Sequence, residues 1–314
     1  MGKNTADPPN IVYFYRCIMR RNIHSVINIF LGFLRPFIYA NFWVAGAVWA
    51  LTRLTEIQIL GSWEGALDSK HDYFIFNSSL ANLNAAGTLI VYGFARLFES
   101  SGKDGLRSKI SQWRSAMPRT AQLSMGLGAA YVSLWWVLFG TWELLWLYAG
   151  AIGVAALYPL PFILRKSGGG LRSVPGLKLV VIAAVWAYVS AVIPSLANDS
   201  FTFTIFFERF FWTAALTIPF DIRDMFIDTG SIKTIPHFLG ARGSLILANT
   251  MLGVSLFLQI THLNAHMIWS SLLYLVFGTI ISFSKPRQSD LYCSFLIEGL
   301  PFLLLGLWVL SPYL

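Results

Sequence analysis

The sequence predicts an all-α membrane protein, a polytopic bundle of about nine transmembrane helices. Hydrophobic residues make up 56% of the 314 residues, charged residues make up only 12%, and the mean hydropathy is +0.61. Soluble proteins carry about 25% charged residues. Nine apolar runs approach the roughly 20 residues that a helix needs to cross a bilayer. Basic loops between them alternate with loops that are acidic or nearly uncharged. This combination is typical of a polytopic membrane protein.

The candidate spans follow one another along the chain without an intervening soluble domain. They lie at 37–58, 73–98, 121–139, 142–163, 177–196, 201–220, 243–261, 265–284 and 291–311. The apolar run at 23–34 is too short to span comfortably, so it is either an interfacial helix or the start of a bent first span. We therefore divide the chain into a cytoplasmic N-terminal and interfacial segment, 1–36, and one transmembrane domain, 37–314.

Basic residues predict the orientation of the bundle. Four alternate loops carry them: Lys103, Arg107, Lys109, Arg114 and Arg119; then Arg165, Lys166, Arg172 and Lys178; then Arg223, Lys233 and Arg242; then Lys285 and Arg287. Because basic loops stay in the cytoplasm, we expect a cytoplasmic N-terminus and an extracytoplasmic C-terminus. We place the protein in the inner or plasma membrane of a bacterium. The same distribution explains the net charge of +8 without nucleic acid as a partner.

An acidic stripe follows the sixth apolar run. Asp221, Asp224 and Asp228 are three of only 15 acidic residues, and spacings of three and four place them on one face of a helix. Such a stripe repels itself unless a cation lies against it. Mg²⁺ takes one or two carboxylates together with phosphate oxygens and water, so the stripe predicts a site for a metal-bound phosphate or diphosphate. The alternative is a solvated loop in which Arg223 and Lys233 balance the acids. The position at a membrane surface favours the ligand site.

The residues around this stripe resemble the second aspartate-rich motif of the UbiA superfamily of intramembrane prenyltransferases. The resemblance joins residues 219–224, Pro-Phe-Asp-Ile-Arg-Asp, and Asp228 to a downstream Lys-Thr-Ile-Pro at 233–236 and Leu-Gly at 239–240. A second patch, from Tyr158 to Trp186, is similar to the connection between the fourth and fifth helices of that superfamily. The resemblance covers most of the transmembrane domain and implies the UbiA-like fold.

The resemblance also implies a reaction. In the superfamily, two aspartate-rich motifs hold Mg²⁺ on the diphosphate of an isoprenoid donor, and a lipophilic or aromatic acceptor attacks the carbocation within the lipid bilayer. In this chain it makes Asp221, Asp224 and Asp228 the catalytic and metal-binding residues. Arg223 and Lys233 become candidates for binding the diphosphate, because the leaving group gains negative charge as its bond breaks.

The first motif of the superfamily is degenerate in this chain. It is expected near residues 91–99, where Ala95 stands at the position of a metal-binding Asp. Arg96 and Glu99 remain as candidates for contacting the diphosphate or supporting the site. Half of the expected metal site is therefore missing from the sequence.

Two functions remain open. The intact second motif favours a divergent prenyltransferase that transfers an isoprenoid from a prenyl diphosphate to an acceptor through a Mg²⁺-diphosphate site. The degenerate first motif favours a catalytically impaired UbiA-fold protein, a lipid- or quinone-binding or structural subunit with a membrane-protein partner. We favour the enzyme. A transporter is disfavoured because the chain shows no convincing internal repeat.

Other polar residues give weaker patterns. Glu208 and Arg209 lie within the sixth span, where an internal ion pair is expected and a role in positioning an acceptor is the alternative. His262 and His266 have the spacing of a zinc pair but lack a local third ligand. The two cysteines lie far apart without metal-ligand spacing, so they indicate neither a zinc site nor a disulfide framework.

Overall fold

The computed structural model describes residues 32, 34–60, 79–97, 118–158, 176–226, 233–262 and 266–310, and the regular structure within these ranges is helical. Within these described ranges, nine long helical segments occupy the predicted spans: α1 Phe42–Leu60, α2 Leu80–Leu97, α3 Pro118–Phe139, α4 Trp142–Leu157, α5 Leu177–Ala197, α6 Phe203–Asp224, α7 Ile235–His262, α8 Met267–Ser282 and α9 Tyr292–Leu310. Two of them include π-helical stretches, at Tyr188–Val192 in α5 and at Tyr292–Ile297 in α9. The predicted all-α class is confirmed.

The helices have the composition of membrane spans. Within the described ranges, four are long and apolar enough to cross a membrane, namely α5, α7, α9 and the Gln122–Phe139 part of α3. Shorter apolar stretches form most of α2, α4 and α8. Large apolar side chains such as Val137, Trp142 and Trp146 are exposed on α3 and α4. Exposed apolar side chains are favourable in contact with lipid and unfavourable in contact with water. The chain is therefore an integral membrane protein.

Helix α6 lies at the centre of the bundle. It packs along both α5 and α7. Its Trp212, Ile218 and Ile222 side chains are fully buried in a core that also takes Leu51 from α1 and Phe277 from α8. A second cluster holds α3 and α4 against α2. Residues at the end of α6 are therefore positioned by the largest core in the molecule.

Local sequence explains where three of the helices begin. Thr141 and Thr202 cap α4 and α6, because their hydroxyl oxygens accept hydrogen bonds from the backbone N–H groups of Leu144 at 3.3 Å and Ile205 at 3.4 Å. Helix α5 begins after Gly176, whose φ is +72°. Glycine adopts this left-handed conformation without a steric penalty.

The start of α7 differs from the sequence prediction. Hydropathy places the seventh span at 243–261, whereas α7 begins at Ile235 and is divided by a kink at Gly240, where φ is +66°. The short segment before the kink begins with the Ile-Pro of the UbiA-like motif, and Thr234 immediately precedes it. Its His237 Nδ1 accepts a hydrogen bond from the Thr234 N–H at 3.1 Å. This segment is short, and the kink at Gly240 and the charged Arg242 separate it from the long apolar run that follows.

Three helix termini meet at one end of the bundle, where α5 begins, α6 ends and α9 begins. The Gly176 N–H donates to the Lys233 carbonyl at 3.1 Å, and the Arg287 N–H donates to the Arg223 carbonyl at 3.1 Å. Helix α6 continues past its predicted end at 220 as far as Asp224. Because this end carries Asp221 and Asp224, we call it the aspartate end.

Candidate ligand site at the aspartate end

A cavity of about 270 Å³ lies between α2, α4, α5, α6 and α9 at the aspartate end. Most of its wall is apolar and includes Val181, Val185, Leu216, Ile297 and Pro301. Its polar lining residues are Tyr92, Tyr158, Lys178, Thr213, Thr217, Arg223, Asp224, Ser294 and Glu298. An apolar pocket with a few convergent polar groups is the usual form of a ligand site.

Asp221 is held by a lysine from the neighbouring helix. Its side chain is 1% exposed, and Lys178 Nζ in the first turn of α5 donates to Asp221 Oδ1 at 2.6 Å. The second carboxylate oxygen, Oδ2, is buried and has no hydrogen-bond partner among the described residues. Lys178 lines the cavity, and Asp221 does not. A ligand in the cavity therefore meets the ammonium group first, with the carboxylate beside it.

Asp224 is held by its neighbour in the chain. Arg223 Nε and Nη2 donate to the two Asp224 carboxylate oxygens, each at 2.8 Å, which is the bidentate geometry that gives strong, oriented pairs. The same guanidinium lies 3.5 Å from Asp290 Oδ1 and 5.3 Å from the centre of the Phe220 ring. These contacts fix a positive group at the cavity wall.

The remaining predicted site residues are not brought to the cavity by the described part of the chain. Lys233 is exposed, and its carbonyl anchors the start of α5. Arg96 belongs to the last turn of α2, but its side chain lies outside the described residues, as do Glu99 and Asp228. The predicted diphosphate contacts of Arg96, Glu99 and Lys233 and the predicted metal contact of Asp228 therefore stay predictions.

Ala95 does line the cavity. This is the position at which the superfamily resemblance expects a metal-binding Asp. The missing carboxylate therefore leaves an apolar methyl group against the ligand space.

The described donor set at the aspartate end offers few unpaired oxygen ligands for Mg²⁺. Three of the four carboxylate oxygens of Asp221 and Asp224 are paired with Lys178 or Arg223, and Asp221 Oδ2 alone remains without a partner in the described ranges. No group of three or more acidic, histidine or cysteine side chains converges within those ranges. Mg²⁺ commonly takes one or two protein carboxylates and completes its shell with substrate phosphate oxygens and water.

Sequence reasoning missed three charged residues of this region. Lys178 is counted among the basic loop residues, whereas it lies in α5 and pairs with Asp221. Asp290 contacts Arg223, and Glu298 lines the cavity from within the ninth span. The available signal was an ionisable residue in or beside an apolar run, which favours a functional role.

The predicted ion pair between Glu208 and Arg209 is confirmed. Both side chains are fully buried, and Arg209 Nε lies 3.2 Å from Glu208 Oε2. Ser255 Oγ of α7 donates to Glu208 Oε1 at 3.0 Å, and Arg209 Nη1 donates to the Leu51 carbonyl of α1 at 2.9 Å. The pair does not line the cavity. It joins α1, α6 and α7 between three and four helical turns from Asp221, at 3.6 residues per turn.

Comparison with known proteins identifies the fold. No family profile and no curated protein matches the sequence. Among solved structures, the chain is similar to the apo structure of a UbiA homolog from Aeropyrum pernix K1, with a TM-score of 0.56 and 13% sequence identity over 86% of this chain and 99% of that chain. This likeness confirms the predicted UbiA-like fold. Because a shared fold does not by itself carry an activity, the function has to be argued from the cavity.

Proposed function

Because this chain has the fold of a UbiA homolog, we propose that it is a divergent intramembrane prenyltransferase. It binds a prenyl diphosphate in the cavity and transfers the isoprenoid to a lipophilic or aromatic acceptor. One observation carries the proposal: the wall of an apolar cavity includes two cations, Lys178 and Arg223. A prenyl diphosphate has the same division into an apolar tail and an anionic head group.

The two cations suit a leaving diphosphate. When the carbon–oxygen bond of the donor breaks, the electron pair leaves with the diphosphate, which gains negative charge. Asp221 holds Lys178, and Asp224 with Asp290 holds Arg223. Both cations are therefore positioned before the ligand arrives, and such preorganised charges stabilise a developing anion without reorganising. Because Nε and Nη2 of Arg223 are paired with Asp224, Nη1 is the nitrogen left to donate to a phosphate oxygen.

Mg²⁺, when bound, neutralises part of the diphosphate charge. Asp224, which lines the cavity, would hold it, and Asp221 and Asp228 remain the other predicted ligands. Arg96, Glu99 and Lys233 remain candidates for supporting the head group. A single ion, together with Lys178 and Arg223, replaces the two acidic motifs of the superfamily in this proposal.

The apolar wall protects the reactive cation. Side chains such as Val185, Leu216 and Ile297 line the cavity beyond the charged groups, and they keep water away from the allylic carbocation that remains after the diphosphate leaves. A carbon or heteroatom of the acceptor then attacks the cation, a new bond forms, and the acceptor loses a proton.

A second candidate function is a catalytically impaired subunit that binds a prenyl lipid or a quinone. Ala95 favours it, since the cavity carries a methyl group where the superfamily resemblance expects an acid. The existing pairs of Asp221 and Asp224 favour it as well, because they satisfy three carboxylate oxygens without a metal ion. This candidate keeps the cavity and the head-group contacts and gives up the ionisation step.

The orientation of the bundle is part of the proposal. The aspartate end faces the cytoplasm, the N-terminus lies on the same side, and the C-terminus lies outside the inner or plasma membrane of a bacterium. A water-soluble prenyl diphosphate head group would then reach the site from the cytoplasm. Labelling of single cysteines introduced at Lys233 and Asp199, with a thiol reagent that does not cross membranes, checks this arrangement.

Turnover separates the two candidates. Purified protein in lipid nanodiscs is incubated with tritiated geranylgeranyl diphosphate, Mg²⁺ and an extract of membrane lipids. The enzyme predicts Mg²⁺-dependent release of diphosphate and a labelled lipid product, both lost in Asp224→Asn. Asp199→Asn is the matched control, because Asp199 is exposed at the opposite end of α6 from Asp224.

Saturable binding without release of diphosphate supports the impaired subunit. Absence of both binding and release contradicts the enzyme and also a subunit that binds prenyl diphosphate.

A further inference from the structure

Glu298 places a carboxylate on the wall of the cavity from α9. It is half-buried and directly follows the π-helical stretch Tyr292–Ile297. Its N–H donates to the Cys293 carbonyl at 3.1 Å, five residues earlier in the chain. A π-bulge inserts a residue into the helical repeat, re-aims the side chains that follow, and often occurs at functional sites.

Glu298 lies deeper in the bundle than the head-group contacts. Asp290 lies at the level of Arg223, at 3.5 Å, and Cys293 Sγ lies 3.8 Å from the Pro219 carbonyl. Helix α9 therefore runs antiparallel to α6 and away from the aspartate end. Glu298 is eight residues beyond Asp290, on the order of 10 Å at about 1.5 Å per residue. At this depth α6 contributes Thr213, Leu216 and Thr217 to the cavity wall, and α9 contributes Ile297 and Pro301.

Glu298 is not part of the predicted metal site. Within the described ranges it forms no group with Asp221 and Asp224 that is compact enough to hold a metal ion. A carboxylate accepts hydrogen bonds and does not donate them. On the wall of a largely apolar cavity it attracts a ligand group with an N–H or O–H and repels a ligand anion, and both effects are stronger there than in bulk water.

We infer that Glu298 selects the acceptor. It binds a hydroxyl or amino group on the side of the acceptor remote from the reacting atom, and it excludes acceptors that carry a carboxylate there. This inference rests on the proposed function, since it places the second substrate in the same cavity as the prenyl diphosphate. Discrimination by a repelled charge is the form of specificity that one carboxylate on a cavity wall supplies.

Two phenols of nearly equal size test the inference: 4-hydroxybenzyl alcohol, which is neutral, and 4-hydroxybenzoate, which carries a carboxylate. Binding of each labelled phenol is measured by equilibrium dialysis against protein in nanodiscs, with an unreactive thio-analogue of geranylgeranyl diphosphate present. We expect the wild-type protein to prefer the alcohol at least tenfold. Glu298→Gln keeps the shape of the side chain and removes its charge. We expect this variant to bind 4-hydroxybenzoate more tightly, so that its preference for the alcohol falls below threefold. Glu298→Asp keeps the charge and the preference.

The outcomes separate this inference from the proposed function. Stabilisation of the wild-type and Glu298→Gln proteins by the donor analogue shows that the head-group site works in both. An unchanged preference in that Gln variant then overturns the role of Glu298. A wild-type preference for 4-hydroxybenzoate overturns it without any variant. If the donor analogue stabilises neither protein, the proposed donor site itself is contradicted.

Discussion

Lys178 Nζ lies 2.6 Å from Asp221 Oδ1 and joins the first turn of α5 to the last turns of α6. The two side chains are only 12% and 1% exposed. Asp221 is the aspartate that the sequence singles out first as a metal ligand, and here a cation from the protein itself balances it. The pair therefore positions the lysine at the cavity wall and stabilises the junction of two central helices.

Removing the lysine is expected to destabilise the fold. Lys178→Met leaves a buried carboxylate without its partner, and breaking a buried ion pair in this way typically lowers the free energy of unfolding by about 3–5 kcal/mol. The double variant Lys178→Met with Asp221→Asn removes both charges and should recover much of the loss. Melting temperatures in detergent, followed by intrinsic tryptophan fluorescence, check the prediction. Equal melting temperatures for wild type and Lys178→Met would contradict it.

Replacing the arginine by lysine is expected to weaken head-group binding. Arg223→Lys keeps the charge but loses the fork that binds both Asp224 oxygens and faces Asp290. We expect at least a tenfold loss of affinity for geranylgeranyl diphosphate, measured by filter binding to protein in nanodiscs. Arg242→Lys on α7 is the matched control, because Arg242 is exposed. An affinity unchanged in Arg223→Lys, or lowered equally in both variants, argues against a specific role of the fork.

Filling the cavity is expected to exclude the prenyl tail. Val181 lines the cavity, whereas the adjacent Val180 is 47% exposed on the outer face of α5. Val181→Trp should lower the affinity for geranylgeranyl diphosphate at least tenfold and leave binding of inorganic diphosphate within threefold of wild type. Val180→Trp should change neither affinity. If Val181→Trp binds geranylgeranyl diphosphate as tightly as the wild type, the isoprenoid tail binds outside this cavity.

Restoring an acid on α2 is expected to strengthen the metal dependence. Ala95→Asp adds a carboxylate to the cavity wall, where it supplies a further oxygen ligand for Mg²⁺. We expect geranylgeranyl diphosphate to bind about tenfold more tightly with Mg²⁺ present and more weakly in EDTA, because the added charge then repels the diphosphate. Ala155→Asp, on α4 in the same cavity, controls for added charge alone. Weaker binding in both conditions would argue against a metal ion at this end of the cavity.

The sequence predicted the architecture well because its signals are local. Apolar runs located the nine long helices of the described ranges, and a spacing of three residues placed Asp221 and Asp224 on one helix. The adjacent pair Glu208 and Arg209 was found for the same reason, since both charges lie in one apolar run. None of these predictions needs a contact between distant segments.

The parts of the site that the sequence did not predict depend on tertiary structure. Lys178 lies 43 residues before its partner Asp221, so only the packing of α5 against α6 reveals the pair. Glu298 reaches the cavity after a π-helical stretch, which hydropathy does not detect. The kink at Gly240 hides the start of α7 for a similar reason, because the segment before it is short and partly polar.

Photo-crosslinking tests the central claim, the occupancy of the cavity by a prenyl diphosphate, most directly. A geranylgeranyl diphosphate analogue with a diazirine on its tail is irradiated with the protein in nanodiscs, and the labelled residues are located by mass spectrometry. We predict labels on cavity residues such as Val185, Leu216 and Pro301, suppressed by excess unlabelled geranylgeranyl diphosphate and by Val181→Trp. The account would be contradicted if labels occur only on the exposed face of α3, at residues such as Leu127 and Val137, and excess unlabelled geranylgeranyl diphosphate does not suppress them.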